Sequence, residues 1–491
     1  MHNATESLTT WLARAATPDA TGCESVTEQA IALLEQACVH LPSLLESGVD
    51  PVKRLKLLRS NPPETINDYY RELLSIFAEA GDRHTACFLP EPFADRVAFL
   101  PFLVREFFDA GQPRLSVVAS AHDELRPGAT LVSWNDASLP EVLDRHMTLQ
   151  LGANPSARRA KAVQTLTLRP LAWLPVPTTE DVVLETIGTD GRRRKLCLPW
   201  QVSDAGALAH YFSPLLQEKQ ENAHHPTENL RARLVETSSG VFGCIRIKTF
   251  QEHPDSFLRS FIATLESMPP AGLILDLRGC EEGFVPTAER LLQLFTSETI
   301  EPQPFQFRIT GLVRRLVNVS SALREWRDPV ERAFQRGEDY SEGRPLTSPQ
   351  EANSIGQRYY GSVVLLVDAL TYSSAEMFAA GFQDHGIGSV LGTAPRTGGG
   401  GASPWQQSMI FKISEDEAFR PLPNAPMFRV AVRRCQRVRT RSGQPLERVG
   451  VTPDALHLPT HRDLFEEDAD VYERAGKILA ENMKRRYINH P

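Results

Sequence analysis

The sequence lacks several features that would each assign it to a familiar class of protein. Its seven cysteines are odd in number and contain no Cys-x-x-Cys pair, which indicates free thiols in a reducing compartment. A formal net charge of -8 gives no electrostatic reason to expect binding to nucleic acid or to an anionic membrane. No window is apolar over the length of a membrane span, and the N-terminal segment does not resemble a secretion signal. We therefore expect a cytoplasmic protein without a metal or other cofactor.

One stretch of the chain combines a buried strand, a serine and a helix start. Residues Val363 to Val367 are continuously apolar and rich in branched residues, which predicts a strand buried on both faces. From Ser374 the apolar residues recur at helical spacing, so we predict a helix that ends before Gly386. Ser373 then lies at a helix N-terminus, where free backbone N–H groups can stabilise an anion. Ser373 is a candidate nucleophile, although serine is also a favoured helix cap, and both interpretations remain open here.

A second candidate lies near the end of a predicted helical region that spans residues 1–100. An amphipathic helix from Ile66 to Phe77 stops near Gly81, and the polar tetrapeptide Asp-Arg-His-Thr follows it at 82–85. A lone histidine such as His84 at a helix end usually complements the helix dipole. On these residues alone, that structural role is favoured over a catalytic one.

The rest of the chain divides into three further predicted segments. Residues 101–235 read as a small β-rich module, with strands predicted at Ala162–Leu168 and Asp181–Glu185. Residues 236–460 alternate between strands and helices, which is typical of a layered α/β domain. Within it, residues 297–358 form an irregular insertion whose length would allow it to be a flap. An amphipathic helix is predicted in 461–491.

Four motifs in a fixed order carry a resemblance to the S41 peptidase family. They are Asp-Leu-Arg-Gly with a following glycine at 276–283, the stretch 367–386, Thr-Gly-Gly-Gly-Gly at 397–401 and Glu-x-x-Gly-Val-x-Pro-Asp at 447–454. The tetrapeptide at 82–85 is similar to a segment common near the N-terminus of the tricorn-like branch. The resemblance implies an α/β fold with a crotonase/ClpP-like layered protease core, an N-terminal helical region and a small PDZ-like β-rich module.

The resemblance also implies a set of site residues. Ser373 matches the nucleophile, and the backbone N–H groups of Gly283 and Ser374 match the oxyanion hole. Processing proteases of this family pair the serine with a lysine, but the matching position here is Gly398 and no lysine lies nearby. Because no lysine is present there, a Ser–Lys dyad is excluded at that position. A serine hydroxyl needs a base within hydrogen-bond reach, so the base must come from elsewhere in the chain.

In the tricorn-like branch a histidine from an earlier segment supplies the base, and His84 matches it. An acidic residue before the Gly-Val-x-Pro-Asp turn orients the site there, and Glu447 matches that residue. The resemblance thus implies a serine-type endopeptidase or carboxy-terminal processing peptidase acting on a peptide or unfolded protein. The alternative is a catalytically inactive ligand-binding or scaffold protein on the same fold.

Overall fold

A computed structural model describes residues 5–15, 22–213, 215, 224–401 and 403–489. The N-terminal elements are β1 (Glu6–Ser7), α1 (Leu8–Arg14), α2 (Cys23–Gln36), α3 (Leu41–Glu46), α4 (Pro51–Ser60) and α5 (Ile66–Ala80). Helix α5 begins after Thr65, whose side chain accepts the Asp68 N–H, and ends at Gly81 in a left-handed conformation. The predicted amphipathic helix is therefore confirmed. Its glycine turn directs residues 82–85 back towards the rest of the protein.

The next part of the chain is rich in short strands. It contains β2 (Ala86–Phe88), β3 (Arg96–Phe99), β4 (Phe102–Asp109), β5 (Gln112–Ser120), β6 (Thr130–Trp134), β7 (Ala137–Ser138), α6 (Leu139–Met147), α7 (Pro155–Thr165), β8 (Leu168–Pro170), β9 (Asp181–Ile187), β10 (Arg193–Pro199), β11 (Gln201–Asp204) and α8 (Ala205–Phe212). Most of these strands form one six-stranded antiparallel sheet in the order β10-β9-β6-β5-β4, with β7 beside β6. A smaller sheet has the order β1-β11-β3-β8.

One predicted strand in this part is wrong. The segment Ala162–Leu168 was expected to be extended, but most of it lies in helix α7 and only Leu168 begins a strand. The helix starts at Asn154, whose side chain accepts the Ala157 N–H, and Pro155 occupies its first turn. This start signal lies upstream of the apolar alternation on which the strand prediction depended.

The remaining elements build the core and its C-terminal cover. They are β12 (His224–Thr227), β13 (Leu230–Thr237), β14 (Gly240–Ile247), α9 (Pro254–Glu266), β15 (Leu273–Asp276), α10 (Val285–Leu292), β16 (Pro304–Phe307), α11 (Gly311–Val319), α12 (Arg327–Arg336), β17 (Arg344–Pro345), α13 (Pro349–Ala352), β18 (Val363–Val367), α14 (Ser374–Asp384), β19 (Ser389–Gly392), β20 (Ser403–Gln406), α15 (Gln407–Ser414), β21 (Met427–Cys435), β22 (Ala455–Leu456), α16 (His461–Phe465) and α17 (Ala469–Asn489). None of the helices in the described ranges is long and apolar enough to cross a membrane.

A seven-stranded sheet forms the centre of the α/β core. Its order is β12-β13-β14-β15-β18-β19-β22, and the pairs from β14 onwards are parallel. On β18, Val364 and Leu366 pack in one cluster with helix α17, while Val363, Leu365 and Val367 belong to the main core on the opposite face. All five residues are buried because helices cover both faces of the sheet. The prediction of a layered α/β core is confirmed.

A five-stranded sheet connects distant parts of the chain. Its order is β17-β16-β21-β2, with β20 beside β21. Strand β2 directly follows His84, and β21 leads into the segment that contains Glu447. The insertion 297–358 supplies β16 and β17 to this sheet. The same sheet therefore positions the segments that carry two of the predicted site residues.

Candidate active site

Ser373 lies in the turn between β18 and α14 with a strained backbone. Its φ is +57° and its ψ is -129°, a conformation that non-glycine residues rarely adopt. Its side chain makes no capping hydrogen bond to α14, so the helix-cap interpretation is wrong for this serine. Its neighbours Tyr372 and Ser374 are buried while Ser373 is partly exposed. A strained serine at a strand-to-helix turn is the arrangement that presents a nucleophile to substrate.

The glycine loop after β19 holds this turn in place. The Ser373 N–H donates to the Gly400 carbonyl oxygen at 2.7 Å. The Glu376 carboxylate in turn accepts the Gly399 N–H at 2.7 Å and the Gly400 N–H at 2.5 Å. Burial raises the pKa of Glu376 to about 7, although these hydrogen bonds oppose the increase. The loop and the helix start are thus held together by one main-chain hydrogen bond and by the Glu376 carboxylate.

The same loop leaves no space for a side chain at Gly398, the position that the resemblance matches to the lysine of processing proteases. A Cβ added at Gly398 or Gly400 would overlap the ring of Tyr372. The space beside this position is therefore filled by an aromatic ring from the turn that carries Ser373.

His84 lines the same cavity as Ser373. We call the part of the lining that residues 82–85 supply the histidine wall, and the part that the Ser373 turn supplies the serine wall. That cavity has a volume of about 460 Å³, and Gly283, Arg83 and Arg429 also line it. The His84 ring packs 4.8 Å from the Tyr372 ring between centroids, and its side chain is almost fully buried. Burial lowers the pKa of His84 to about 3, against the opposing effect of the Asp82 carboxylate. The imidazole is therefore neutral near pH 7, the state that can accept a proton.

Asp82 and Tyr372 connect the histidine segment to the serine turn. The Tyr372 hydroxyl donates to Asp82 Oδ1 at 2.8 Å, and the same oxygen accepts the His84 backbone N–H at 2.9 Å. The Thr85 hydroxyl donates to Asp82 Oδ2 at 2.9 Å. Although burial opposes ionisation, His84 and these hydrogen bonds hold the pKa of Asp82 below its ordinary value. Asp82 Oδ1 lies 3.8 Å from His84 Nδ1, too far for a hydrogen bond.

Glu447 is buried behind this cavity. Its Oε1 accepts the Cys435 N–H at 2.6 Å, at the end of β21. Its Oε2 makes no hydrogen bond within the described part of the chain, and neither does His84 Nδ1. Burial raises the pKa of Glu447 to about 8, and the Asp82 carboxylate adds to the increase. Glu447 and His84 thus make no direct hydrogen bond with each other among the described residues. The orienting role of Glu447 stays a prediction.

The two predicted oxyanion donors differ in their exposure. Gly283 lines the cavity, and an added Cβ there would overlap the backbone of Phe250, so only glycine fits. The Phe250 N–H donates to the Glu282 carbonyl oxygen, and the Phe284 N–H donates to the Phe250 carbonyl oxygen. The Gly283 N–H takes no part in this bridge. Ser374 is fully buried and begins helix α14, so its N–H lies at the positive end of the helix.

The sequence reasoning missed three residues that organise this site. Tyr372 fills the space beside Gly398, Asp82 accepts hydrogen bonds from both walls of the cavity, and Glu376 holds the glycine loop. The tetrapeptide at 82–85 and the glutamate three residues after Ser373 were visible as parts of motifs, but their partners lie far away in sequence. No group of His, Cys, Asp and Glu in the described ranges is arranged to hold a metal ion.

Comparison with known proteins places this geometry in a family. Residues 241–456 match the model of peptidase family S41. This segment of the chain is an S41 peptidase core. As an S41 member it is a serine-type peptidase, in agreement with the prediction from the motifs.

Solved structures show the same fold over nearly the whole S41 chain. The crystal structure of mature CPAF is 17% identical, covers 94% of this chain and 98% of its own, and superimposes with a TM-score of 0.70. The structure of mature CPAF complexed with lactacystin is 18% identical, covers 94% of this chain and 99% of its own, and has a TM-score of 0.70. The match extends well beyond the segment of the family model and includes the N-terminal part that carries His84.

Proposed function

We propose that this S41 peptidase hydrolyses peptide bonds through an acyl-enzyme, with Ser373 as the nucleophile and His84 as the general base. The observation that carries the proposal is one cavity lined by both a strained serine and a buried histidine, with no room for a side chain at Gly398. This pairing is the one expected of the tricorn-like branch. The substrate is a peptide or an unfolded protein segment that can enter an open cavity, and we place its hydrolysis in the cytoplasm.

The first chemical step follows from these positions. Ser373 Oγ attacks the scissile carbonyl carbon while His84 Nε2 accepts the hydroxyl proton. The N–H groups of Gly283 and Ser374 donate to the developing oxyanion, where one such donor is worth about 2.7–4 kcal/mol. His84 then returns the proton to the leaving amine, and water hydrolyses the acyl-enzyme by the same proton path in reverse.

Two carboxylates support the histidine in this proposal. Asp82, 3.8 Å from Nδ1, stabilises the imidazolium electrostatically as it forms. Glu447 is the orienting acid that accepts a hydrogen bond from Nδ1. Both Glu447 Oε2 and His84 Nδ1 are buried and unpartnered among the described residues, so each retains the capacity for that bond. Catalytic hydrogen bonds are often long in a free enzyme and shorten when substrate binds.

The module at 101–235 is proposed to be PDZ-like.

A fluorophosphonate probe tests the nucleophile directly. We expect the probe to label Ser373 in the folded protein, and Ser373→Ala to lose both labelling and peptide hydrolysis with an unchanged melting temperature. Ser408→Ala, at an exposed serine on α15, is the matched control and should label normally. Lactacystin, present in the CPAF complex, provides a second probe for the same serine. Absence of labelling in folded protein would contradict the proposal and favour the binding or scaffold alternative.

A further inference from the structure

Arg429 lies on the cavity wall at a position fixed from two sides. It is on β21, opposite Ala86 of β2 and opposite Gln406 of β20. Because β2 begins two residues after His84, the sheet fixes the distance between this arginine and the proposed base. Arg429 is therefore a rigid part of the cavity rather than a side chain on a mobile loop.

The guanidinium of Arg429 is held in place but is not neutralised by a bonded carboxylate. Its Nη2 donates to the Arg83 carbonyl oxygen at 2.5 Å, and its Cζ lies 5.1 Å from the centre of the Phe88 ring. Its Nε is buried and makes no hydrogen bond with any described residue. Within the described ranges no Asp or Glu forms an ion pair with it. Of the five N–H donors of the guanidinium, one is thus bonded and the Nε–H is sealed from solvent, which leaves the donors of the Nη groups to bind a ligand.

The carboxylates that line the cavity are bonded to groups other than Arg429, although the Gln251 amide that bonds Glu282 is neutral and leaves that charge uncompensated. The Glu281 carboxylate accepts from Arg83 and from Lys161, each at 2.6 Å. Glu282 is hydrogen-bonded to Gln251. Burial lowers the pKa of Arg429, and the Asp82 and Glu282 carboxylates oppose the decrease without bonding to it. Arginine stays protonated in proteins, so this wall presents an unpaired positive charge beside the proposed catalytic pair.

We propose that Arg429 binds a carboxylate of the substrate next to the scissile bond, so that the peptidase prefers acidic substrates. The inference rests on the proposed function of the same cavity. A guanidinium fork binds a carboxylate through two parallel hydrogen bonds, a geometry that lysine cannot reproduce. A substrate with a neutral group at this position leaves the buried donors unpaired, which is the strongest form of discrimination a binding site can make.

A carboxylate can come from an Asp or Glu side chain or from the C-terminus of the peptide. Two pairs of internally quenched random peptide pools distinguish these sources. The first pair has a blocked C-terminus and differs only by Glu or Gln at one fixed central position. The second pair has Gln at that position and ends in a free carboxylate or an amide.

The experiment measures kcat/KM on all four pools for the wild type, Arg429→Met, Arg429→Lys and Arg434→Met. We expect a preference of about tenfold for the carboxylate in one pair, reduced below about twofold by Arg429→Met and only partly kept by Arg429→Lys. Arg434 lies on the same strand, where it bonds Gln306 and stacks on Tyr340, so Arg434→Met should keep the preference. The pair that shows the preference identifies the source of the carboxylate. Circular dichroism checks that each variant folds.

Binding separates failure of this inference from failure of the proposed function. Thermophoresis measures the apparent Kd of the same pools on Ser373→Ala protein with and without Arg429→Met. An Arg429-dependent preference in binding supports the inference even if the wild type hydrolyses nothing, a result that would remove only the proposed function. The inference would be overturned if the two pools of each pair had equal kcat/KM and equal apparent Kd. A preference that is unchanged in Arg429→Met would overturn it as well.

Discussion

The two walls of the active-site cavity are built in different ways. On the serine wall, β18, α14 and the glycine loop are fixed by main-chain hydrogen bonds between segments close to Ser373 in sequence or joined to it by Glu376. On the histidine wall, residues 82–85 follow the end of α5 and are bonded to the serine turn by the Tyr372 side chain. The position of the proposed nucleophile is therefore a local feature of the chain, whereas that of the proposed base depends on long-range docking.

Removing the base should have the largest effect on the histidine wall. We expect His84→Ala to lower kcat/KM by about 10²–10⁴, because proton transfer then has no positioned acceptor. The measurement is steady-state hydrolysis of a quenched peptide pool. His385→Ala is the matched control, since His385 ends α14 by bonding the Gly381 carbonyl and should leave the rate unchanged. Equal rates for His84→Ala and the wild type would show that another group is the base.

Damage to the serine wall should act through the backbone. We expect Gly400→Ala to reduce the free energy of unfolding by about 3 kcal/mol, because the new methyl group overlaps the Tyr372 ring. Displacing that ring should also reduce hydrolysis, since it packs on His84. Gly311→Ala, where a Cβ meets nothing within contact distance, is the control and should change stability little. Denaturant unfolding with the activity assay measures both effects, and a stable, active Gly400→Ala would contradict this steric argument.

Cutting the connection between the walls should have a smaller effect. We expect Tyr372→Phe to cost about 2 kcal/mol of stability, because the buried Asp82 carboxylate loses a hydrogen-bond donor. Hydrolysis should fall severalfold as residues 82–85 lose their attachment. Tyr340→Phe removes a hydroxyl bonded to the Val39 carbonyl away from the cavity, and should change stability without changing kcat/KM. If both variants keep full activity, the walls are held together by packing alone.

The smallest expected effect is a shift of the pH profile. Because burial lowers the pKa of His84 from 6.5 to about 3, the imidazole stays neutral in acid where an exposed histidine would be protonated. As the solution is made more acidic, we therefore expect kcat/KM to decline only at a pH below the pKa of an ordinary histidine. The measurement covers about pH 4 to pH 8, with circular dichroism at each point as a control for unfolding. If half-maximal activity falls at or above the pKa of an ordinary histidine, substrate entry or another titrating group sets the pH profile.

The sequence predicted the serine wall well because its signals are local. The apolar run at 363–367, the helical spacing after Ser374 and the stop before Gly386 correspond closely to β18 and α14. Layered α/β architecture followed from the same alternation in the core. What remained ambiguous, whether Ser373 caps the helix, depended on a backbone dihedral angle that no residue pattern specifies.

The histidine wall could be predicted only through family resemblance. No periodicity connects His84 to Ser373, and their proximity results from the pairing of β2 with β21. The roles of Tyr372 and Asp82 were missed for the same reason, since their hydrogen bond joins residues far apart in the chain. The insertion 297–358 was open to interpretation as a flap; in the structure its strands extend the five-stranded sheet instead, and none of the described residues lining the cavity belongs to it.

The pairing of β2 with β21 has a consequence for the life of the chain on the ribosome. The strand that follows His84 is made early in synthesis, but Arg429, opposite Ala86 in the sheet, is made after most of the chain. Until that late segment leaves the exit tunnel, the histidine has no sheet partner to hold it against the serine. If the proposed roles of Ser373 and His84 are correct, a nascent chain holds the two residues in unassembled form until synthesis is nearly complete.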